Sequence, residues 1–307
     1  MSVTAVVQAR AGSTRLPGKV LADVHGTPLL GLVLGRVMLA PVDDVVLATT
    51  THERDDTVAS LGTHLGVPVV RGSEHDVLQR FVAALDAYPC EHVVRLTGDC
   101  PLLDPAVIAD ALAVHRVAGA DYTSNTLVRT FPDGLDVEVV RPSCLRAADA
   151  EATDETEREH VTPFLYRRPD RFALASFRAP EFLGDERWTI DTAEDLEWLR
   201  GVVTKLGTRT GWRDVLERAG RQVDPDADVL RLVPAAASTP ARRVWDLTRR
   251  AVHFGTVALD VHDGIGHATM DVPAELAVPA EALLRDRLRA DAQIKELMLT
   301  ARQPDPS

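Results

Sequence analysis

The chain has 307 residues, 45% hydrophobic and 26% charged, enough to bury a sizeable core in one large or two modest domains without a disulfide or metal staple. Its formal net charge of −12 sets up a field that repels nucleic acid and anionic membrane, which disfavours duplex-binding proteins. Cys90, Cys100 and Cys144 show no CxxC or Cys/His spacing, so neither a disulfide framework nor a structural zinc site is indicated and a reducing cytosol fits. The opening residues lack the charged n-region and apolar run of a signal peptide, and no stretch approaches the ~20 apolar residues of a membrane span. The expectation is a cytoplasmic protein with neither a nucleic-acid nor a membrane partner.

In chain order, residues 3–9 read as a buried strand, 28–40 as a helix and 45–50 as a second buried strand. The alternation repeats with a helix near 54–65, a strand at 67–71, a helix at 75–87, a strand at 92–97 and a helix entered at Pro105. Such alternation predicts a mainly parallel sheet covered by helices on both faces. The ligand crevice of such a sheet lies beyond the carboxyl ends of the strands, so the loops after residues 9, 50, 71 and 97 should converge. Shorter strands are expected at 120–125, 136–141, 172–177 and 187–190, before a helix at 192–206. A Pro, Ala and Ser-rich linker at 223–240 leads to a tail, 241–307, with a helix at 241–253, strands at 255–261 and 266–272, and an amphipathic helix at 281–300. The tail has too little apolar surface to fold alone and is expected to dock on the main domain or on a partner. Within it, His262, Asp263 and His267 fit no zinc pattern and read as a polar hairpin turn around Gly264 and Gly266.

The most informative segment runs from Gln8 to Lys19, directly after the first buried strand. Gly12 and Gly18 allow tight turns that present N–H groups to a phosphate, and Arg10, Arg15 and Lys19 supply cations in the same loop. Val20 follows Lys19 where a Walker loop would need a hydroxyl, so the segment reads as a triphosphate cradle of another kind, the alternative being a basic surface loop. Asp99, a lone acid at a strand's carboxyl end, is placed to hold Mg²⁺. Asp191 sits where a strand gives way to a helix; Asp191 or Thr192 could be its N-cap, with Glu194 three residues after Asp191. Arg71, Asp76 and Arg80 follow a strand or lie on the next helix, near where a nucleobase or ribose would sit. Arg158, Glu159 and His160 form a polar triplet, and Asp133 to Glu138 alternate acid and apolar at strand period.

These segments together resemble one family. QARAGSTRLPGKVL, ATT at 48–50, RGSEHDVLQRF at 71–81, RLTGDCPL at 95–102, DYTSN at 121–125, FPDGLDVEV at 131–139 and REHVTPF at 158–164 are similar to the spore-coat polysaccharide type of cytidylyltransferase, a relative of the CMP-sugar synthetases that activate KDO and sialic acid. The resemblance covers about residues 1–220 and not the tail. The KDO branch reads Pro-Ala-Arg where this chain has Gln8-Ala9-Arg10, which places it outside that branch.

The resemblance implies a Rossmann-like α/β/α sandwich of the nucleotide-diphospho-sugar transferase type, with a cytidylyltransferase domain at 1–222 and a small C-terminal α+β extension at 241–307. It implies an enzyme that moves CMP from CTP to a small sugar-acid, sugar, phosphonate or phosphate acceptor, releases pyrophosphate, uses Mg²⁺ and works as a homodimer. Arg15 and Lys19 would hold the β and γ phosphates, Arg10 the α phosphate, and Asp99 with Asp191 the metal. The nucleotide would further meet Gln8, Ala9, Gly12, Ser13, Thr50, Arg71, Asp76, Arg80, Thr97 and Gly98. The acceptor side would draw on Asn125, Asp133, Asp136, Glu138, Arg158, Glu159 and His160, with His160 as base if the acceptor is a hydroxyl. The same cations and acids would also serve an NDP-sugar pyrophosphorylase using another nucleotide, or a non-catalytic nucleotide-binding module.

Overall fold

A computed structural model describes residues 2–179 and 182–221 and, beyond them, 231–234, 242–249, 252–262, 265–272, 274–288, 294 and 296–301. The chain forms two compact units: Met1–His115, Gly119–Phe177 and Glu181–Val223 make one, Arg116–Ala118, Arg178–Pro180 and Asp224–Ser307 the other.

In the first unit, β1 (Val3–Gln8) leads through a short hairpin, β2 (Asp23–Val24) and β3 (Thr27–Pro28), into α1 (Leu29–Val37) and β4 (Asp44–Thr50). Then come α2 (Asp56–His64), β5 (Val69–Gly72), α3 (Val77–Ala87), β6 (His92–Thr97) and α4 (Pro105–Ala118). β7 (Tyr122–Ser124), β8 (Glu138–Val140), α5 (Pro142–Glu151), α6 (Glu155–His160), α7 (Pro163–Tyr166), β9 (Leu174–Ser176), α8 (Ala193–Leu206) and α9 (Trp212–Arg218) complete it. The sheet order is β5-β4-β1-β6-β8-β7-β9, and β8 alone runs against the rest. The expected α/β architecture is therefore present.

Hydrophobic runs explain the centre of the sheet. Val6, Val46 and Val93 are fully buried between helices, and Leu78, Phe81 and Leu85 give α3 the apolar face that covers one side of it. The strand order reverses at β1: the chain builds outward to β4 and β5, then returns to β6 on β1's other edge. That switch point opens a crevice at the carboxyl ends of β1 and β6, where Gln8 and Thr97 stand in register.

Residues 187–190 do not form the expected strand. Trp188 and Ile190 are buried alternately with more exposed neighbours, which mimics strand periodicity, but the segment makes a single bridge, Asp133 to Arg187. Its remaining backbone bonds tie loops together: Trp188 N–H donates to Asp133 O at 2.7 Å and Ile190 N–H to Asp99 O at 3.0 Å.

The second unit is a sheet of β10 (Arg231–Pro234), β11 (Arg242–Arg249), β12 (Val252–His262), β13 (Ile265–Asp271) and β14 (Glu296–Ala301), in that order, with α10 (Ala274–Leu288) between β13 and β14. The helix expected at 241–253 is instead strand. Trp245 and Leu247 also alternate at period two with Asp246 and Thr248, and antiparallel pairing of β11 with β10 and β12 settles which period wins. Likewise the helix expected at 281–300 ends at Leu288, and 296–301 pairs parallel with β13, its Leu297 and Leu299 half-buried while Met298 and Thr300 face out. Arg231–Pro234, expected to be linker, is strand; the rest of 223–240 lies outside the described residues. The hairpin expected near residue 264 is present as β12 against β13, although Asp263 and Gly264 lie outside the described residues and Gly266 is in the strand rather than the turn.

Gly134 holds the loop before β8 against residues 188–189. Its φ is +109°, and a Cβ there would lie 2.8 Å from Trp188 C and 2.9 Å from Thr189 N, both unyielding backbone atoms. Gly134→Ala is therefore expected to lower unfolding free energy by about 1–3 kcal/mol, and a urea denaturation midpoint equal to the parent's would contradict the constraint.

Candidate active site

A cavity of about 300 Å³ opens at the switch point, lined by Gln8, Ala9, Arg10, Gly12, Ser13, Thr14, Arg15, Lys19, Val20, Val77, Arg80, Thr97, Gly98, Asp99, Glu159, His160 and Asp191. Of the residues named from sequence, the loop set except Gly18 meets here with Arg80, Thr97, Gly98, both carboxylates and the Glu159–His160 pair. Thr14, Val20 and Val77 were not anticipated.

The loop after β1 is shaped by its own backbone. Gly18, in the left-handed region at φ 72°, donates its N–H to Ala11 O at 2.9 Å, so it closes the loop rather than offering that N–H to a phosphate as its sequence suggested. Buried Asp55 accepts the Ala11 N–H at 2.6 Å and also the Thr50 hydroxyl, clamping the loop to the end of β4. Asp55 gave no sequence signal beyond a helix-start acid. Gly98 sits so close to β1 that a Cβ would meet Ala9 Cβ at 2.7 Å and Gln8 O at 3.1 Å, which keeps the β1 and β6 loops in contact.

Charge organises the centre. The Lys19 ammonium lies 2.8 Å from Asp99 Oδ2 and 2.8 Å from Asp191 Oδ1, and Arg15 reaches Asp191 Oδ2 at 2.8 Å. Burial disfavours the charged lysine, but attraction to Asp99 and Asp191 outweighs it and holds its pKa above the ordinary value. Asp99 shows the mirror image: burial pushes its carboxyl up, and Lys19 brings it below the usual carboxylate range. Arg10 is held by Glu74 O at 3.2 Å and lies 3.8 Å from Glu159.

Asp191 is free to face the cavity because it is not the helix cap. Thr192 caps α8, and the capping box closes with Asp195 rather than Glu194. The two cavity carboxylates converge on one point, and Mg²⁺ in nucleotide sites is held by one or two carboxylates plus phosphate oxygens, so this donor set fits such an ion. Among the described residues no group of three or more His, Cys, Asp or Glu is placed to hold a metal ion by itself.

Two polar groups at the cavity are buried without partners: Oε1 of Gln8, and Nε and Nη1 of Arg80, which is 2% exposed. Burial and the nearby Arg10 both lower the Arg80 pKa. A buried acceptor or donor left without a partner is costly unless a ligand meets it.

Eight other residues named from sequence do not line this cavity. Asn125 is buried, donating to Leu135 O and accepting from Val137 N–H. Glu138 is buried against Arg95, accepting from the Tyr122 hydroxyl at 2.5 Å and Thr162 Oγ1 at 2.6 Å. Arg158 pairs with Asp76 and Asp149, each at 2.6 Å, and Asp76 also caps α3 through Gln79 N–H. Arg71 bonds Thr50 O and pairs with Asp56. Asp136 takes both arms of Arg129, with Asp133 at 3.7 Å, and Thr50 serves Asp55. Each is occupied in holding loops and helices around the site, because dense polar sequence near a crevice must first satisfy its own backbone and charges.

Removing Glu138 would leave the Arg95 guanidinium buried beside an empty place. Glu138→Ala is expected to destabilise the protein by about 3–5 kcal/mol. Urea unfolding measures this, and a loss under 1 kcal/mol would contradict the structural role.

The model of the cytidylyltransferase family matches residues 4–204. The spore coat polysaccharide biosynthesis protein SpsF of Bacillus subtilis (strain 168) is 37% identical over 216 residues, 66% of this chain and 87% of that protein. A 3-deoxy-manno-octulosonate cytidylyltransferase of Mesorhizobium japonicum is 29% identical over 255 residues, 78% of this chain and 95% of its own. Among solved structures, a cytidylyltransferase from Leptospira borgpetersenii serovar Hardjo-bovis (strain JB197) superposes with a TM-score of 0.68 at 31% identity, covering 73% of this chain and 99% of that one. A CMP:2-keto-3-deoxy-manno-octonic acid synthetase complexed with CTP shares the fold at a TM-score of 0.52 and 18% identity, over 67% of this chain and 99% of that one.

Proposed function

The chain belongs to the cytidylyltransferase family, and from that premise we propose that it transfers CMP from CTP to a small anionic or sugar-like acceptor with release of pyrophosphate. The observation that carries this reading is the Lys19 ammonium shared at 2.8 Å by Asp99 and Asp191, beside Arg15 at the end of β1. Cations that neutralise phosphates and acids that hold a metal stand in one place.

On this reading an acceptor oxygen attacks the α-phosphorus in line, the bond from that phosphorus to the bridging oxygen breaks, and pyrophosphate departs with the electron pair. Lys19 and Arg15 turn from the carboxylates to the outer phosphates, and Arg10 turns from Glu74 and Glu159 to the α-phosphate. Asp99 and Asp191, so released, are the residues that would hold Mg²⁺, which when bound draws off phosphate charge. A phosphate or phosphonate acceptor brings no proton to lose. A hydroxyl acceptor gives its proton to His160, an exposed residue at the cavity wall.

The unpartnered Gln8 Oε1 and Arg80 suit the cytosine edge, which offers an amino donor beside carbonyl and ring-nitrogen acceptors. A uracil edge would set a carbonyl where Gln8 needs a donor. The chemistry lies in residues 1–222 of a cytoplasmic homodimer, and 241–307 serve docking or dimer contacts.

Pyrophosphate release with each of the four NTPs, Mg²⁺ and a panel of sugar-acid, sugar, phosphate and phosphonate acceptors tests the reading. CTP should be the productive nucleotide, and equal turnover with UTP would overturn the base assignment. Lys19→Ala should weaken CTP binding at least tenfold more than CMP binding, because the lysine is assigned to the outer phosphates; calorimetry giving equal losses would reject that role. Asp99→Asn should reduce turnover by about 100-fold or more while leaving metal-free nucleotide affinity nearly intact.

A further inference from the structure

Asp191 has three cations within 4 Å: Lys19 and Arg15 at 2.8 Å, and Arg187 Nη1 at 3.9 Å. The first two come from the phosphate loop and can leave with a nucleotide. Arg187 is four residues before Asp191 on the same segment and cannot leave with the ligand. Asp195 holds it where it is, pairing with both of its terminal nitrogens, one at 3.0 Å to Oδ2.

The same Asp195 Oδ2 accepts the N–H of Asp191 at 2.9 Å and of Thr192 at 2.8 Å, and Thr192 Oγ1 accepts the Asp195 N–H at 3.3 Å. One carboxylate thus fixes the backbone from which Asp191 projects and engages the nearby guanidinium. Its surroundings keep it ionised: burial opposes the charge, but Arg187 and the two N–H donors bring its pKa down to about 2.

We infer that Asp195 is a positioning residue for the reaction, aiming Asp191 into the cavity through its backbone N–H and keeping Arg187 from closing on it. This rests on the reading of Asp191 as a metal ligand. Without Asp195, Arg187 has its best remaining partner in Asp191 and competes there with a divalent cation. Closing from 3.9 Å to about 2.8 Å at a partly buried site corresponds to about a tenfold effect on that competition.

The test uses the full chain saturated with a non-hydrolysable CTP analogue and titrated with Mn²⁺, followed by calorimetry and by the Mn²⁺ paramagnetic resonance signal. Asp195→Asn should weaken Mn²⁺ binding about tenfold and lower kcat, with analogue affinity in the absence of metal and KM for CTP within about twofold. Adding Arg187→Gln to Asp195→Asn should recover most of the Mn²⁺ affinity, which a purely structural role for Asp195 would not allow. Arg187→Gln alone should bind Mn²⁺ at least as tightly as the parent, an arm that stands even if Asp195→Asn fails to fold. Unchanged Mn²⁺ affinity in folded Asp195→Asn, no recovery in the double variant, or weaker binding in Arg187→Gln each overturns the inference. Asp191→Asn separates the two layers. If it weakens Mn²⁺ binding while Asp195→Asn does not, only the positioning role falls; if it has no effect, the metal assignment falls and the inference with it.

Discussion

Everything in the site is arranged around one buried ammonium. Lys19 joins the loop after β1 to the strand end at Asp99 and to the segment leading into α8 at Asp191, one cation set between two carboxylates. Two carboxylates facing one crevice repel; a lysine 8% exposed is costly in isolation. Their mutual neutralisation lets opposite charges accumulate at the end of a parallel sheet, where helix starts and loop amides converge. On the proposed reading a phosphate chain and a metal replace these internal pairs, so ligand binding exchanges partners without having to create a charged pocket from an apolar one.

The central fold was legible because its signals are local and mutually consistent. Val3–Gln8, Asp44–Thr50 and His92–Thr97 are short runs rich in β-branched residues with apolar centres, separated by helical patterns, and a covered parallel sheet suits that combination. The 12-residue stretch from Gln8 to Lys19 was equally plain, since cations and glycines have few reasons to crowd after a buried strand. The C-terminal unit was misread where periodicity is ambiguous. Residues 242–249 carry too few apolar positions to distinguish a helix from a strand, and cross-strand partners decide it.

The residues that line the cavity were more legible than those around it, for a physical reason. Three cations crowded into one loop after a buried strand are conspicuous in the sequence itself, and the structure brings them to the cavity with Arg80, whose Nε and Nη1 are buried without partners. Residues that support them look like the same polar types and are distinguished only by what they touch. Glu138 and Arg158 are expected on the acceptor side by the resemblance; in the structure one pairs with Arg95 and the other ties α6 to Asp76 and Asp149. Asp55, which holds the phosphate loop by the Ala11 N–H, was invisible for the same reason: its contact crosses 44 positions.

The Lys19–Asp191 pair crosses 172 positions and the Lys19–Asp99 pair 80, a separation with a meaning for how the protein is made. A chain emerging from the ribosome presents the phosphate loop early and its first acidic partner midway, while the second arrives only once the segment leading into α8 has been synthesised. Until then β1, β4 and β6 can be in place with the lysine only half neutralised. Completion of the crevice thus cannot precede the arrival of residue 191, so no shorter nascent chain carries the charge balance of the finished site.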